Sequence, residues 1–469
     1  MKVFLANPPF FKNFNREVRW SAKTSGAIHP PIYLAYAAAV LEKKHDVKLM
    51  DCIASEVGRE KFYRYVKKHS PDFLIMDTST PSILNDINIA KEVKERVDTK
   101  IILVGPHVST LPKETFGMAP WIDYIAMAEY DYTLPEIIDS NGKQLKNIKG
   151  IAFKSDKKVI KTKRRDPIKN LDDLPYPDRD QLPIEKYRDT LLTPPFTFLI
   201  SGRGCPYLCN YCLWPQVMFG RTLRLRNPIK VVDEVEYCVS RYNLKTYKFF
   251  DDTFTIVKER VKKICQELIK RDINTPWICN ARVDTLDKES MEIMKKSGCY
   301  LFKVGVESGS QKLLDIIKKG TTIRQIKNFF KNTKEVGIKT FASFMIGLPG
   351  ETRETIRNTI NLAKEIEPDM VQFVILSPLP GTEMFDYMVK EGWVSFPIDW
   401  SEYITDEGYV NIVFKHPNFS EDELRNICGE LWREFYLRPK FVLNRVKKGL
   451  TDFGEFRRNI TGIKKVFRY

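Results

Sequence analysis

The sequence predicts an α/β protein: an open, doubly wound (Rossmann-like) domain, then a partial (β/α)6 barrel and a C-terminal helical region. Two observations predict this fold class. Short apolar runs alternate with amphipathic stretches five times near the start of the chain, and six times from Pro195 to about Pro380. Such β–α alternation is typical of parallel sheets. The predicted segments are 1–140 (first domain), 141–194 (linker), 195–385 (barrel) and 386–469 (helical region).

Length and composition set the class of protein. The chain has 469 residues, of which 29% are charged and 43% hydrophobic, as expected for a folded globular protein with roughly two to four domains. No apolar run approaches the ~18–20 residues needed to cross a bilayer. The start, MKVFLANPPF, breaks at Asn7-Pro8-Pro9 too early for a signal peptide. We therefore expect a cytoplasmic protein with reduced cysteines.

The first domain takes its strands from five apolar runs: KVFLA, DVKLM, DFLIM, KIILV and DYIAM. Open parallel sheets bind ligands beyond the carboxyl ends of their strands. The loops at those ends are therefore the candidate ligand contacts: Asn7-Pro8-Pro9, Asp51, Thr78 to Ser82, and Gly105-Pro106-His107.

Basic and proline-marked stretches (KTKRRDP, LDDLPYPDRD) indicate the linker before the second β–α series. There Asn227-Pro228 is a good helix start, because a capping side chain precedes a proline. The six strand candidates are TFLIS, YKFFD, WICNA, FKVGV, TFASFMIG and VQFVIL. Barrels of parallel strands carry their chemistry on the carboxyl-end loops.

Cys205, Cys209 and Cys212 form a C-x3-C-x2-C triplet in the loop after the first of these strands. Three thiolates this close in sequence can hold three corners of a cubane [4Fe–4S] cluster and leave one iron without a protein ligand. A structural zinc site is the alternative, but it would need a fourth ligand. The nearest histidines, His107 and His416, are far away in sequence.

The triplet resembles the signature of radical S-adenosylmethionine (SAM) enzymes. In that family the amino and carboxylate groups of SAM bind the open iron, and an electron from the cluster splits SAM to a 5′-deoxyadenosyl radical. The resemblance therefore implies an enzyme that activates an unactivated carbon. It also implies an external electron donor of the flavodoxin or ferredoxin type.

Further loops resemble the SAM-binding parts of that family. In DDTF, Asp251 or Asp252 is expected to accept hydrogen bonds from the methionine ammonium, with helix capping as the alternative. Glu307 of VESG is expected at the ribose hydroxyls. Gly347 and Pro349 of GLPGET are expected beside the adenine.

Arg282 of CNAR has two open interpretations, a partner for the SAM carboxylate and a structural salt bridge.

DDTF and the PLPGT motif after the sixth strand resemble the branch of the family that has a cobalamin-binding domain. For the first domain this implies cobalamin contacts at Thr78, Ser82, Gly105 and His107. One departure is clear: the D-x-H-x-x-G motif, whose histidine ligates cobalt, is replaced by Asp51-Cys52-Ile53-Ala54. His107 is a candidate substitute, but a loop-stabilising role is the favoured interpretation.

CLWPQ, DDTF and CNAR together resemble the radical SAM proteins of hopanoid biosynthesis and calditol synthase. That likeness implies carbon–carbon bond formation, namely ring formation on a lipid-linked polyol or sugar head group. The alternative is a cobalamin-dependent radical C-methyltransferase acting on another substrate. A tRNA methylthiotransferase would need three further cysteines in the first domain, which has only Cys52. A non-catalytic electron-transfer or cobalamin-carrier module would have no use for an open iron together with SAM-binding loops.

The tail from Arg438 to Tyr469 has ten Lys/Arg and two Asp/Glu, a net charge of +8 out of +16 for the chain. Apolar residues interleave with these charges, as in helices that lie on anionic membranes. Peripheral membrane association and a small-molecule or lipid-linked substrate are the expected partners, whereas nucleic acid is not. The alternative is a terminal helix packed on the barrel.

Overall fold

A computed structural model describes residues 1–17, 22–23, 26–156, 158–395, 397–439 and 441–443. It confirms the predicted fold class, with two large sheets and two small two-stranded ones among the described residues. The first sheet contains β1 (Lys2–Asn7), β2 (Asp46–Asp51), β3 (Phe73–Asp77), β4 (Lys100–Val104), β5 (Tyr124–Ala126), β6 (Ile151–Ser155) and β7 (Lys158–Lys161).

The strand order of this sheet is β2-β1-β3-β4-β5-β6-β7. Pairing is parallel from β2 to β5 and antiparallel from β5 to β7. The order 2-1-3-4-5 puts the topological switch point between β1 and β3, and ligands of such sheets bind in that crevice. The end of β1 at Asn7 and the end of β3 at Asp77 therefore frame the expected ligand edge.

The segment 141–194, predicted as a linker, differs from that prediction at its start. It contributes β6 and β7 to the first sheet as an antiparallel hairpin. The physical reason is its apolar run: Ile151, Ala152 and Phe153 are buried. The linker prediction overlooked this because basic and proline residues dominate the rest of the segment.

The described residues of the first domain form six α-helices: α1 (Ile32–Leu41), α2 (Arg59–His69), α3 (Ile83–Lys94), α4 (Pro106–Thr110), α5 (Pro112–Met118) and α6 (Thr133–Ser140). Every residue of α1 is buried. A helix that is apolar all round is enclosed on all sides, and α1 has the first sheet on one side and the barrel on the other.

The second sheet is the predicted partial barrel, with six parallel strands in chain order. Its strands are β8 (Phe196–Leu199), β9 (Thr246–Phe249), β10 (Trp277–Ala281), β11 (Cys299–Glu307), β12 (Lys339–Ile346) and β13 (Met370–Ile375). The helices around it are α7 (Pro228–Tyr242), α8 (Lys258–Lys270), α9 (Lys288–Lys296), α10 (Gln311–Ile316), α11 (Ile323–Val336) and α12 (Arg353–Ile366). The predicted cap of α7 is present, since Asn227 Oδ1 accepts a hydrogen bond from the Ile229 amide at 2.9 Å.

The C-terminal region begins with α13 (Glu383–Lys390) and contains α14 (Glu421–Tyr436), which packs on β13 and α12. Between these helices, residues 393–395 and 397–420 form an irregular segment, here called the bridging segment. Most of the predicted basic tail, residues 444–469, lies outside the described residues. Among the helices that are described, none combines the length and the apolar character needed to span a bilayer.

Candidate active site

The three cysteines lie on the loop that follows β8. Gly202–Arg203 and Arg224–Leu225 pair antiparallel and close the base of this loop. Cys205 and Cys209 are buried and Cys212 is partly buried. Gly204 has φ +86°, and a Cβ there would lie 2.3 Å from the Thr222 carbonyl oxygen. The glycine therefore allows the close turn that presents Cys205.

The donor set fits a cubane cluster. Each thiolate of a three-cysteine cluster binds a different iron, so the sulfurs need not converge on one point. Within the described residues, no three His, Cys, Asp or Glu side chains do converge on a single-ion site. Two polar groups lie near the sulfurs: Thr253 Oγ1 is 3.9 Å from Cys205 Sγ, and Arg282 Nη1 is 4.0 Å from Cys209 Sγ.

Arg282 is next to the cysteine loop but is engaged within the protein. Its guanidinium donates to both carboxylate oxygens of Asp284 at 3.0 Å and to the Lys319 carbonyl at 2.9 Å. It also lies 3.5 Å from the ring centroid of Tyr207. Of the two interpretations left open for this residue, the structural salt bridge is the one present here.

The two aspartates of DDTF have different surroundings. Asp251 is buried and accepts hydrogen bonds from the Ser201 amide (2.7 Å) and hydroxyl (2.5 Å). Burial raises its pKa, against the hydrogen bonds from Ser201 and the charge of Arg260. Asp251 thus ties the end of β9 to the end of β8. Asp252 is half-buried. Burial, and after it the negative charge of Asp252, raises the pKa of Tyr33 of α1.

Glu307 links the end of β11 to the cysteine loop. Its Oε1 accepts hydrogen bonds from the Tyr211 hydroxyl at 2.9 Å and from Lys319 Nζ at 2.8 Å. Tyr211 lies between two of the cysteines in sequence. The backbone of Glu307 has φ +69°, a left-handed conformation that costs a non-glycine residue about 1–3 kcal/mol and is concentrated at functional sites.

The GLPGET loop after β12 is folded around its own glutamate. Glu351 is buried and accepts hydrogen bonds from the Gly347 and Leu348 amides. Pro349 lies in the turn between these donors and Glu351. The bridging segment covers the loop: Phe414 packs against Gly347, and His416 Nε2 lies 3.1 Å from the Leu348 carbonyl oxygen.

The loops at the ligand edge of the first sheet are tightly packed. Thr78 Oγ1 donates to the Val104 carbonyl at 2.7 Å, and Ser82 Oγ donates to Asp86 at 2.6 Å. Gly105 has φ +115°, and a Cβ there would lie only 2.1 Å from the Thr78 carbonyl oxygen. The four predicted cobalamin contacts therefore lie in two adjacent segments that touch, the Thr78–Ser82 loop and the turn at Gly105 that leads into α4.

His107, the fourth, is 1% exposed and its ring packs edge-on against Trp400 of the bridging segment, with centroids 4.7 Å apart. Its Nδ1 lies 3.3 Å from Thr80 Oγ1, and no described residue pairs with its Nε2. Burial lowers the pKa of His107 to about 3, so the ring is neutral at physiological pH. These contacts agree with the loop-stabilising interpretation.

The ligand edge of the first sheet faces the cysteine loop. Tyr33 of α1 has its ring 5.3 Å from Trp214 and 4.9 Å from Phe219, both on the loop after the cysteines. Arg203, two residues before Cys205, forms buried salt bridges with Glu129 (2.8 Å) and Asp131 (2.7 Å) of the first domain.

Sequence reasoning did not find this ion network or the bridging segment. The available signal for the network was an arginine, Arg203, two residues before the first cysteine of the triplet. The bridging segment has no periodic pattern that could have indicated its position.

The fold and this junction define a class of protein: a radical SAM barrel whose cysteine loop faces the ligand edge of a cobalamin-binding domain. The pattern of the radical SAM superfamily matches residues 199–363, and that of the B12 binding domain matches residues 20–138. The two matches fall on the two sheets.

Known proteins resemble the chain over nearly its whole length. An uncharacterized methyltransferase of Pyrococcus horikoshii is 32% identical over 100% of this chain and 99% of that protein. The anaerobic magnesium-protoporphyrin IX monomethyl ester cyclase of Rubrivivax gelatinosus is 29% identical over 93% of this chain and 78% of its own.

Among solved structures, the radical SAM methyltransferase TsrM from Kitasatospora setae, with cobalamin and a [4Fe–4S] cluster bound, has a TM-score of 0.71. That structure is 17% identical and covers 92% of this chain and 88% of its own; at this identity the likeness concerns the fold. The chain belongs to the radical SAM enzymes that carry a B12 binding domain. The cofactors of this class are a [4Fe–4S] cluster, SAM and cobalamin, as the sequence predicts.

Proposed function

We propose that the protein is a cobalamin-dependent radical SAM methyltransferase that adds a methyl group to an unactivated carbon of a small-molecule or lipid-linked substrate. The observation that carries the proposal is the junction, in which the cysteine loop and the ligand edge of the first sheet face each other. Supporting it, the 32% identical relative that matches end to end is named a methyltransferase.

The roles proposed for the cysteines follow from their donor set. Cys205, Cys209 and Cys212 would hold the cluster, which together with SAM would supply the reductive cleavage that generates a radical able to abstract a hydrogen atom from carbon. The protein's own task is to hold the loop and exclude water. The burial of Cys205 and Cys209 and the packing of Tyr33 on Trp214 serve that task.

We assign the polar contacts of SAM to the rim around the cysteine loop. Asp252 is the better candidate of the DDTF pair for the ammonium, since Asp251 is engaged by Ser201. Glu307 would exchange its bond to Tyr211 or Lys319 for the ribose hydroxyls. For Gly347 and Pro349 we propose backbone contact with the adenine. For Arg282 the role at the SAM carboxylate stays a proposal, which would require it to exchange its salt bridge with Asp284.

Cobalamin is assigned to the edge formed by the Thr78–Ser82 loop and the loop that leads through Gly105 into the start of α4, where His107 lies. Both loops follow strands on one side of the switch point, where ligands of such sheets bind. The His107 ring, buried and packed against Trp400, would line this edge rather than ligate the metal.

Ring formation is the second candidate, and the cyclase relative favours it. Ring formation on a lipid-linked polyol, the more specific prediction from the sequence, finds no support in these comparisons. The two reactions differ in what becomes of SAM. Methyl transfer leaves S-adenosylhomocysteine in addition to 5′-deoxyadenosine, because a methyl group has been removed from SAM, whereas ring closure requires no methyl donor.

The test is an anaerobic assay of reconstituted enzyme with reductant, cobalamin and SAM labelled in its methyl group. Methyl transfer predicts that both 5′-deoxyadenosine and S-adenosylhomocysteine form. It also predicts that the labelled methyl group appears in a product made from a substrate in a cell extract. Formation of 5′-deoxyadenosine and an unlabelled product that has lost two hydrogens would refute methyl transfer in favour of ring closure. Cys209→Ala, which removes one cluster ligand, is the negative control.

Two expected partners also stay proposals. A flavodoxin or ferredoxin would supply the electrons. The basic tail, most of which lies outside the described residues, would hold the enzyme on an anionic membrane if the substrate is lipid-linked.

A further inference from the structure

Arg282 is a buried cation whose charged group lies beside a sulfur of the cysteine triplet. It follows β10 directly, at the carboxyl end of the barrel strands, and is 5% exposed. Its Nη1 lies 4.0 Å from Cys209 Sγ, with the nitrogen as the donor. A buried charge acts strongly on its neighbours, because little water screens it. The guanidinium therefore sets part of the electrostatic surroundings of this sulfur.

Three contacts hold the guanidinium in this orientation. Its Nε and Nη2 donate to the two carboxylate oxygens of Asp284, each at 3.0 Å. Nη2 also donates to the Lys319 carbonyl at 2.9 Å. The ring of Tyr207, on the cysteine loop, covers the guanidinium, whose Cζ lies 3.5 Å from the ring centroid. These contacts engage two of the three nitrogens and leave Nη1 as the one that donates toward Cys209.

The backbone of Arg282 is fixed as well. Its amide donates to Thr255 Oγ1 at 3.3 Å, and its carbonyl accepts from Thr285 Oγ1 at 3.0 Å. The two threonine hydroxyls lie 2.6 Å apart. A charge held in place in advance costs no reorganisation when a neighbouring group gains charge.

The ion pair presents its positive end to the sulfur. Asp284 binds Nε and Nη2, whereas Cys209 lies at the third nitrogen. The side chains of the pair are 5% and 14% exposed, so water screens them little. Because the cation is nearer to the sulfur than the carboxylate is, the pair as a whole stabilises negative charge at Cys209.

Iron–sulfur clusters respond to such surroundings. Their reduction potentials depend on nearby charge and on hydrogen bonds to the sulfurs. Reduction would add one electron, and hence one negative charge, to a cluster bound by Cys209. An external donor of the flavodoxin or ferredoxin class would supply that electron, and no bond breaks in this step. A fixed positive charge favours the reduced form and therefore raises the potential.

We propose that Arg282, oriented by Asp284 and Tyr207, raises the reduction potential of the cluster through the sulfur of Cys209. Its effect is to ease reduction of the cluster by the electron donor. The inference rests on the cluster that the proposed function assigns to the triplet, and it holds for methyl transfer and for ring formation alike. Unlike a role at the SAM carboxylate, it requires no change in the salt bridge with Asp284.

The test measures the potential of the reconstituted cluster in the full chain, without SAM, from the EPR signal of its reduced form at a series of fixed potentials. Arg282→Met removes the positive charge. It should lower the equilibrium constant for reduction at least about tenfold, which is about 59 mV for a one-electron couple. Asp284→Asn removes the opposing charge with little change of shape, so it should raise that constant about threefold. A structural disturbance alone would not produce shifts of opposite sign.

Arg241→Met and Asp180→Asn are the matched controls. Arg241 and Asp180 form an ion pair in which both side chains are about half exposed. Arg241 lies in the last turn of α7, which leads into the start of β9. It is therefore at the opposite end of the barrel from the cysteine loop, and both controls should leave the potential unchanged. The iron content of each variant normalises its EPR signal.

Potentials that stay at the wild-type value, or that shift in the same direction for Arg282→Met and Asp284→Asn, would overturn the inference. Each variant has its own expected sign, so either one decides if the other holds no cluster. Loss of the cluster in both would show that the pair is structural, which also overturns it. Unshifted potentials in a protein that carries out methyl transfer would refute this inference alone. A wild type without a cluster would refute the proposed function, and this inference with it.

Discussion

At the residue scale, Cys209 has the surroundings expected of a cluster ligand. It is buried, and its sulfur lies 4.0 Å from the guanidinium of Arg282. Cys209→Ala should abolish the cluster absorbance and SAM cleavage, because two thiolates remain where three are needed. Iron content and the anaerobic visible spectrum measure this. The matched control is Cys428→Ala. Cys428 donates to the Phe373 carbonyl and lies far from the cysteine loop in sequence. A Cys209→Ala protein with full iron and activity would contradict the assignment.

Gly105 makes a second residue-scale prediction. Its φ of +115° and the 2.1 Å approach of the Thr78 carbonyl leave no space for a side chain. Gly105→Ala should cost about 1–3 kcal/mol from backbone strain, with more from the overlap, and should separate the two loops assigned to cobalamin. Gly58→Ala is the control, since no atom lies within 4 Å of its Cβ position. The amount of cobalamin that stays bound through gel filtration should be lower for Gly105→Ala and unchanged for Gly58→Ala.

The role of a residue was predictable where the sequence spacing alone indicates the chemistry, as in the cysteine triplet. It was not predictable where a contact distant in sequence decides the role. Asp251 and Asp252 look equivalent in the sequence, yet Ser201, fifty residues away, engages only the first. Arg282 likewise pairs with Asp284 because the turn after β10 brings the two together.

At the scale of elements, the strands were predicted well because parallel strands buried on both faces read as continuous apolar runs. All five residues of β3, for example, are buried. The bridging segment was not predictable, because it has no periodicity and its position is set by contacts at its two ends. Trp400 donates to Glu114 of α5 at 2.6 Å, while Asn418 donates to the Glu351 carbonyl at 2.8 Å.

The GLPGET loop makes the element-scale prediction. Burial raises the pKa of Glu351 to about 7 from its usual 4.5, against the hydrogen bonds from Gly347 and Leu348. Because the folded pKa is the higher one, the stability due to the buried neutral acid is complete below pH 4.5. It is lost as the pH rises toward 7, by about 3 kcal/mol in all. Glu351→Gln should remove this loss.

The measurement is the thermal midpoint of the wild type and of Glu351→Gln between pH 5 and 8. As the pH rises, the thermal midpoint of Glu351→Gln should increase relative to that of the wild type. Glu354→Gln, an exposed position in the first turn of α12, serves as the control. A constant difference across this range would show that Glu351 is ionised throughout.

At the scale of the whole molecule, the two domains are joined by buried polar contacts as well as by apolar packing. Arg203 and Arg224 of the barrel share Glu129 of the first domain, and Arg203 also binds Asp131. Such a network contributes little net stability but specifies one docking geometry. Because Arg203 lies two residues before Cys205, that geometry also sets how the cysteine loop faces the first sheet.

Arg203→Met tests this docking role. It leaves Asp131 buried without its salt-bridge partner, and removal of one partner of a buried pair costs about 3–5 kcal/mol. Arg241→Met is matched in chemistry but breaks a pair with Asp180 in which both side chains are about half exposed, so it should cost about 1 kcal/mol or less. We expect only Arg203→Met to lower the midpoint by many degrees and to reduce cobalamin and cluster occupancy together. Equal midpoints for the two variants would mean that apolar packing alone sets how the domains dock.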